Sequence, residues 1–222
     1  MSRLNVGPAV KKDTIQELTY KQLKKAILTE QLSPDLFYTE TDLAEALQIS
    51  RTPVREAVKE LIGAGLLISV PRKGLKIREY TQLEIEQIFL LRKVIEPEIL
   101  SKLLKTVTAE QIKTLKELVC RQEEAIEKKD ELGFIELDQK FHLSLITWTD
   151  YNIIEEMIIK LHNITRLIGH KAIRKQKRME EVIEEHRKII EALEQKDEAP
   201  CKKAMNHHLE KTEQSYRLID NQ

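Results

Sequence analysis

From residue 80 onward, apolar side chains recur at helical spacing in six successive stretches and nowhere alternate as a strand would. The stretches are 81–105, 109–129, 131–148, 152–171, 179–195 and 198–219. Thr108, Asp130, Asp150 and Asp197 stand where N-caps belong. Pro97 lies inside the first stretch and predicts a kink or break there. Helices of this length with short connections pack as an antiparallel bundle. Only six Gly and six Pro occur among 222 residues, and 41% of the chain is hydrophobic, so the sequence reads as mainly α and folded.

The first 79 residues follow a different order: helix (14–30), short strand (Leu36–Thr39), helix (Thr41–Leu47), helix (Arg51–Ala64), hairpin. Ser50 is a cap candidate for the third helix, Pro53 fits its first turn, and Gly63 and Gly65 stop it. Leu66–Val70 and Leu75–Arg78 flank the basic tip Pro71-Arg72-Lys73-Gly74. This order is that of a winged helix-turn-helix, whose second motif helix enters a major groove. The division gives a winged helix-turn-helix domain over 1–79 and an all-α bundle of six to seven helices over 80–222.

Charge follows the same division. The totals are 37 basic and 37 acidic residues, but 1–79 holds 13 and 10 (net +3), leaving 24 and 27 (net −3) for 80–222. Within 49–79 the ratio is seven to three, which points to a polyanion partner at one end of the chain. On the 51–64 helix, Val54, Ala57, Val58 and Leu61 share one face, while Arg51, Thr52, Arg55 and Lys59 share the other. Arginine forks suit guanine edges or phosphates, and threonine suits a phosphate or a base methyl.

The longest apolar or glycine run, around Ala64–Leu67, is far below the roughly 20 residues of a membrane-spanning helix. The N-terminal residues show no secretory signal, and Cys120 and Cys201 read as reduced packing residues. A cytoplasmic protein is expected.

In the bundle, helical spacing turns Asp138, His142, His186 and His208 inward and leaves His207 on a solvent face. Any one of these histidines can be an ordinary hydrogen-bonded core residue. Together, three imidazoles and a carboxylate facing an apolar interior are suited to one divalent ion: zinc first, with nickel, manganese or iron as alternatives. No His-Glu-x-x-His arrangement supplies a general base, so an enzyme is disfavoured.

The stretch "TDLAEALQISRTPVREAVKELIGAGLLISVPRKGLKI" resembles the DNA-binding domain of the GntR family of bacterial transcription regulators. The resemblance implies DNA contact by Arg51, Thr52 and Arg55, by Lys73 and Gly74 on the wing, and by Thr41 before the second helix. The pieces "LDQKFHLSL", "EEHRKIIEALEQKD" and "AMNHHL" resemble the FadR-type C-terminal domain called FCD. Separations of 4, 44 and 22 positions from Asp138 to His142, His186 and His208 match its metal-binding members, which implies these four as ligands. Arg92, in "LRKVIEPEI", matches an arginine near the family's effector pocket; the alternative is an ion pair with Glu96 four residues on. Asn163 and Arg166 are further candidates for the cavity wall. The implied molecule is a homodimeric regulator, more often a repressor, reading a pseudo-palindromic operator under control of a small organic acid. A bundle serving only for dimerisation around a structural ion is the alternative.

Overall fold

A computed structural model describes residues 14–172 and 176–217. The chain forms two compact units, one ending at Arg78 and the other beginning at Glu79.

In the first unit, α1 spans Ile15–Leu28, α2 Glu40–Leu47 and α3 Arg51–Gly63. Thr14 and Thr39 each start a helix with a reciprocal capping box, closed by Glu17 and Asp42. Ser50 occupies the N-cap position of α3, but its side chain makes no cap hydrogen bond there. Val54, Ala57, Val58 and Leu61 face inward, α3 packing against both α1 and α2. Complete burial of a Val or Leu side chain is worth about 1.5–3 kcal/mol, enough to fix the rotation of α3 and hold its basic face outward.

β1 (Leu67–Val70) and β2 (Gly74–Ile77) pair antiparallel, with Leu67 opposite Ile77 and Val70 opposite Gly74. The strand expected over Leu36–Thr39 is reduced to a single bridge, Tyr38 to Leu75. Ser33 N–H donates to the Tyr38 hydroxyl, holding the preceding turn close, so only one residue runs alongside β2.

The second unit contains six helices among the described residues: α4 Gln82–Leu103, α5 Ala109–Glu127, α6 Glu131–Thr147, α7 Asn152–Ala172, α8 Gln176–Gln195 and α9 Glu198–Arg217. α9 packs against α4 and α8, α5 against α6 and α8, and α7 against α6. One continuous apolar core joins them, with Phe134, Phe141, Leu100 and Leu103 fully enclosed. Pro97 does not break α4, which continues through it and buries it. Thr108, Asp130 and Asp197 do cap their helices. Asp150 does not: it turns the chain at φ 58°, two residues before α7 begins.

Candidate functional site

Three helices bring the four inward-turned residues together. Asp138 and His142 lie one turn apart on α6, His186 comes from the middle of α8, and His208 from α9. One potential ligand atom from each falls within 4.8 Å of all the others. His142 Nε2 and His208 Nε2 are 3.0 Å apart, and His186 Nε2 is 3.5 Å from Asp138 Oδ1. The imidazoles are buried, whereas the Asp138 side chain is 25% exposed and marks the side open to a cavity. His186 is held flat against Phe141, with ring centres 3.9 Å apart. His207 is exposed, on the other side of α9.

The outer nitrogens decide what the inner ones can do. His186 Nδ1 is 3.0 Å from Gln122 Oε1, and His208 Nδ1 is 2.8 Å from Glu185 Oε2. His142 Nδ1 faces Glu96 Oε2 at 2.6 Å, although poorly aligned for a hydrogen bond. The hydrogen-bonded partners of His186 and His208 are oxygen acceptors that take the proton on Nδ1, which leaves a lone pair on the Nε2 of each of these two rings. Burial, reinforced by the neighbouring imidazoles His208 and His142, holds His186 well below the usual histidine range. Burial likewise lowers His208, against the opposing pull of Glu185. The Nε2 lone pairs of His186 and His208 are thus electron-rich groups that face the Asp138 carboxylate and His142 Nε2.

That arrangement fits a cation. His186 Nε2 is buried without a hydrogen-bond partner, and His142 Nε2 and His208 Nε2 meet at 3.0 Å, a separation that a shared proton or an ion bound by both nitrogens would satisfy. Ligand atoms each about 2.1 Å from one ion are themselves roughly 3 Å apart when adjacent. Nitrogen-rich donors with one carboxylate suit zinc, nickel, iron or manganese better than calcium or magnesium. Glu96, His142 and His162 form a second close group that shares His142.

Arg92 is buried on α4 and donates from Nε to Glu96 Oε1 at 2.6 Å, the ion pair that the four-residue spacing allowed. Burial alone would raise the Glu96 carboxyl, but the Arg92 charge and the contact with His142 hold it well below the carboxylate range. Arg92 also lines a cavity with Asp138, His162, Arg166, Arg178 and His208. Arg166 is tied to Glu136 at 2.6 Å and to Gln139 at 3.2 Å. Asn163 is buried, 3.4 Å from Gln139, and is not among the residues lining this cavity. A wider, open groove between α8 and α9, lined by Lys188, Ala192, Pro200 and Lys203, meets this constellation only at Glu185.

Sequence reasoning missed His162, Gln122, Arg178 and the role of Glu185. Glu185 stands beside His186 in sequence, yet the helix turns it to His208. Gln122 gave no signal, because a buried glutamine on an amphipathic helix looks like any other break in the stripe.

In the first unit, Thr41, Arg51, Thr52, Arg55, Lys59 and Lys73 are all exposed. Their acidic neighbours are loose surface partners: Arg51 is 3.7 Å from Glu40, Arg55 3.5 Å from Glu56, and Lys59 2.9 Å from Glu56. Exposed pairs of this kind are weak and exchange readily for phosphate. Lys73 lies at the wing tip, 5.3 Å above the Phe37 ring. Gly74 is a backbone requirement, with φ 109° and the Tyr38 carbonyl oxygen 2.5 Å from where a Cβ would stand.

Residues 15–77 match the bacterial regulatory proteins of the gntR family, and residues 87–211 match the FCD domain. The HTH-type transcriptional regulator YdhC of Bacillus subtilis is 26% identical over 190 residues, covering 85% of each chain. The HTH-type transcriptional repressor RspR of Escherichia coli is 25% identical over 205 residues, covering 92% of this chain and 90% of RspR. The solved structure of E. coli McbR/YncC shares the fold with a TM-score of 0.80 at 23% identity, covering 95% of this chain and 99% of that one. Such relatives are transcription regulators and not enzymes. With a gntR-family match over its first unit and an FCD match over more than half its length, the chain belongs to the GntR family of DNA-binding transcriptional regulators, as a member that carries an FCD domain.

Proposed function

We propose that this regulator is a repressor whose grip on its operator is set by a small carboxylate bound beside a divalent transition metal, and that Asp138, His142, His186 and His208 hold the metal. One observation carries the reading: a potential ligand atom from each of Asp138, His142, His186 and His208 lies within 4.8 Å of the others in a buried core, and the Nδ1 partners of His186 and His208 leave their Nε2 lone pairs facing that point. The ion, zinc first among the candidates, supplies a Lewis-acidic position to which a carboxylate oxygen can bind.

Arg92 lines the cavity beside Asp138 and commits its Nε to Glu96; a guanidinium has further N–H donors to offer a carboxylate. Arg166 stands on the same wall, and Asn163 supports it from behind through Gln139. At the DNA, Arg51, Thr52, Arg55 and Lys59 would lie in a major groove. Thr41, Lys73 and Gly74 would meet the flanking backbone, with two copies of the chain on a pseudo-palindromic site. Repression is favoured by the names of relatives, RspR and the gluconate operon transcriptional repressor of B. subtilis. The carboxylate acts only to the extent that it binds the DNA-competent and DNA-incompetent states with different affinity.

Thermal shift on the full chain tests the reading. Zinc should raise the melting temperature of the wild type and not of His186→Ala. A panel of small carboxylates should then raise it further only in the metal-loaded protein and weaken operator binding. A response to metal with none to any carboxylate would assign the bundle to dimerisation around a structural ion.

A further inference from the structure

The two carboxylates that back the imidazole cluster have a second engagement. Glu96 meets His142 through Oε2 and takes Arg92 Nε on Oε1. Glu185 meets His208 through Oε2, at 2.8 Å, and takes the Arg178 fork on both oxygens, at 2.6 and 2.8 Å. Arg178 is further fixed by Thr212 Oγ1 at 3.2 Å, on the helix that carries His208. Both arginines line one cavity, together with Asp138 and His208. The third imidazole differs: His186 is backed by the neutral amide of Gln122 and by the Phe141 ring. The construction is thus two His–Glu–Arg chains, each running from the convergence point to the cavity wall.

We propose that Glu96 and Glu185 are positioning residues: Glu185 fixes His208 as its Nδ1–H tautomer, Glu96 sets a carboxylate against His142 Nδ1, and each ties its ligand histidine to a cavity arginine, so that the charge on the cavity wall tunes how strongly the imidazoles bind a cation. This inference rests on the metal reading above. A carboxylate that accepts from Nδ1–H orients the ring and strengthens Nε2 as a donor. An arginine on the same carboxylate draws its charge the other way. Neutralising that arginine, whether by substitution or by an anion seated on it, returns charge to the imidazole and tightens the cation. Linkage makes the effect reciprocal, so a bound cation favours an anion at Arg92 and Arg178. A merely structural ion pair would orient nothing and transmit nothing.

Glu185 carries the test, because Glu96→Gln leaves the enclosed Arg92 charge unpaired and endangers the fold. The measurement is zinc affinity of the full chain by competition with a chromophoric chelator, with the metal-free circular dichroism of each variant as the check on folding. Glu185→Gln keeps volume and an acceptor oxygen but removes the charge, and should weaken zinc by about 10–100-fold. Arg178→Gln should tighten it several-fold, an effect that disappears in the Glu185→Gln background. Long-range 15N–1H spectra of the metal-free protein should show His208 as the Nδ1–H tautomer in the wild type and as a mixture in Glu185→Gln. The proposal is overturned if Glu185→Gln binds zinc as the wild type does. It is equally overturned if Arg178→Gln has no effect, or one that survives without Glu185. Failure of the metal reading is seen separately, as equal zinc affinity in the wild type and His186→Ala.

Discussion

At Gly74 the backbone adopts φ 109°, and a Cβ would meet the Tyr38 carbonyl oxygen at 2.5 Å. That oxygen accepts from Leu75 N–H at 2.7 Å and so forms half of the bridge that anchors the wing. Gly74→Ala therefore strains the backbone and displaces the bridge together, and is expected to cost about 1–3 kcal/mol in a urea titration. An unchanged midpoint would mean that the wing relaxes freely. The buried imidazoles make a second prediction at this scale. His162 is lowered to about 4, chiefly by burial and then by Arg92, and His186 and His208 are lowered in the same direction. A histidine held neutral in the fold but titrating near 6.5 when unfolded contributes stability that is complete above about pH 6.5 and is lost as pH falls towards its folded value. The metal-free protein should thus lose stability between about pH 6.5 and 4, and His162→Gln should remove about one proton from that slope. A flat profile over this window would show that the imidazoles are not held neutral. Of the site, Asp138, His142, His186 and His208 were legible because helical spacing decides which residues face inward. Glu185, Gln122 and His162 were not legible, since their roles depend on which helix lies opposite, information that no single stretch of chain carries.

Among the elements, the helices were legible and some of their ends were not. Apolar spacing located α4 to α9 because burial of one face is what makes each helix stable. The same logic failed at Leu36–Thr39, where β-prone residues met too little of β2 to form a ladder, and at Asp150, where a left-handed turn residue imitates a cap in sequence. Pro97 was read as a kink or break, yet core packing on both sides carries α4 through it. The element with most consequence is α3, whose buried Val54, Ala57, Val58 and Leu61 leave Arg55 exposed. Arg55→Ala should leave the fold intact and weaken operator binding. If the guanidinium reads a base, the loss is about 1–3 kcal/mol and specificity relaxes at one position; if it holds a phosphate, the salt slope falls by about one. Operator affinity measured across a salt series distinguishes the two. Wild-type affinity at every salt concentration would exclude α3 as the reading helix.

On the scale of the whole chain, charge and core are distributed by task. The first 79 residues carry net +3, with Arg51, Arg55, Lys59, Arg72 and Lys73 exposed, whereas the polar groups with most effect after residue 80 are enclosed imidazoles and paired charges. Enclosing three imidazoles without a cation is costly, because His186 Nε2 is left without a hydrogen-bond partner. A ligand that binds only the folded form adds RT ln(1 + [L]/Kd) to its stability, about 2.7 kcal/mol at one hundred times Kd. For a unit of this size that corresponds to roughly 5–10 °C in melting temperature. Removal of metal by a chelator should therefore lower the melting temperature by this amount and restoring zinc should recover it. His186→Ala should melt at one temperature with or without metal. Substituting Asp138→Ala should reduce the zinc-induced shift and alter the metal-free melting temperature little, since Asp138 is the least enclosed of the four. A metal-free protein as stable as the loaded one would mean that the convergence of these four side chains is a feature of core packing and not of ion binding.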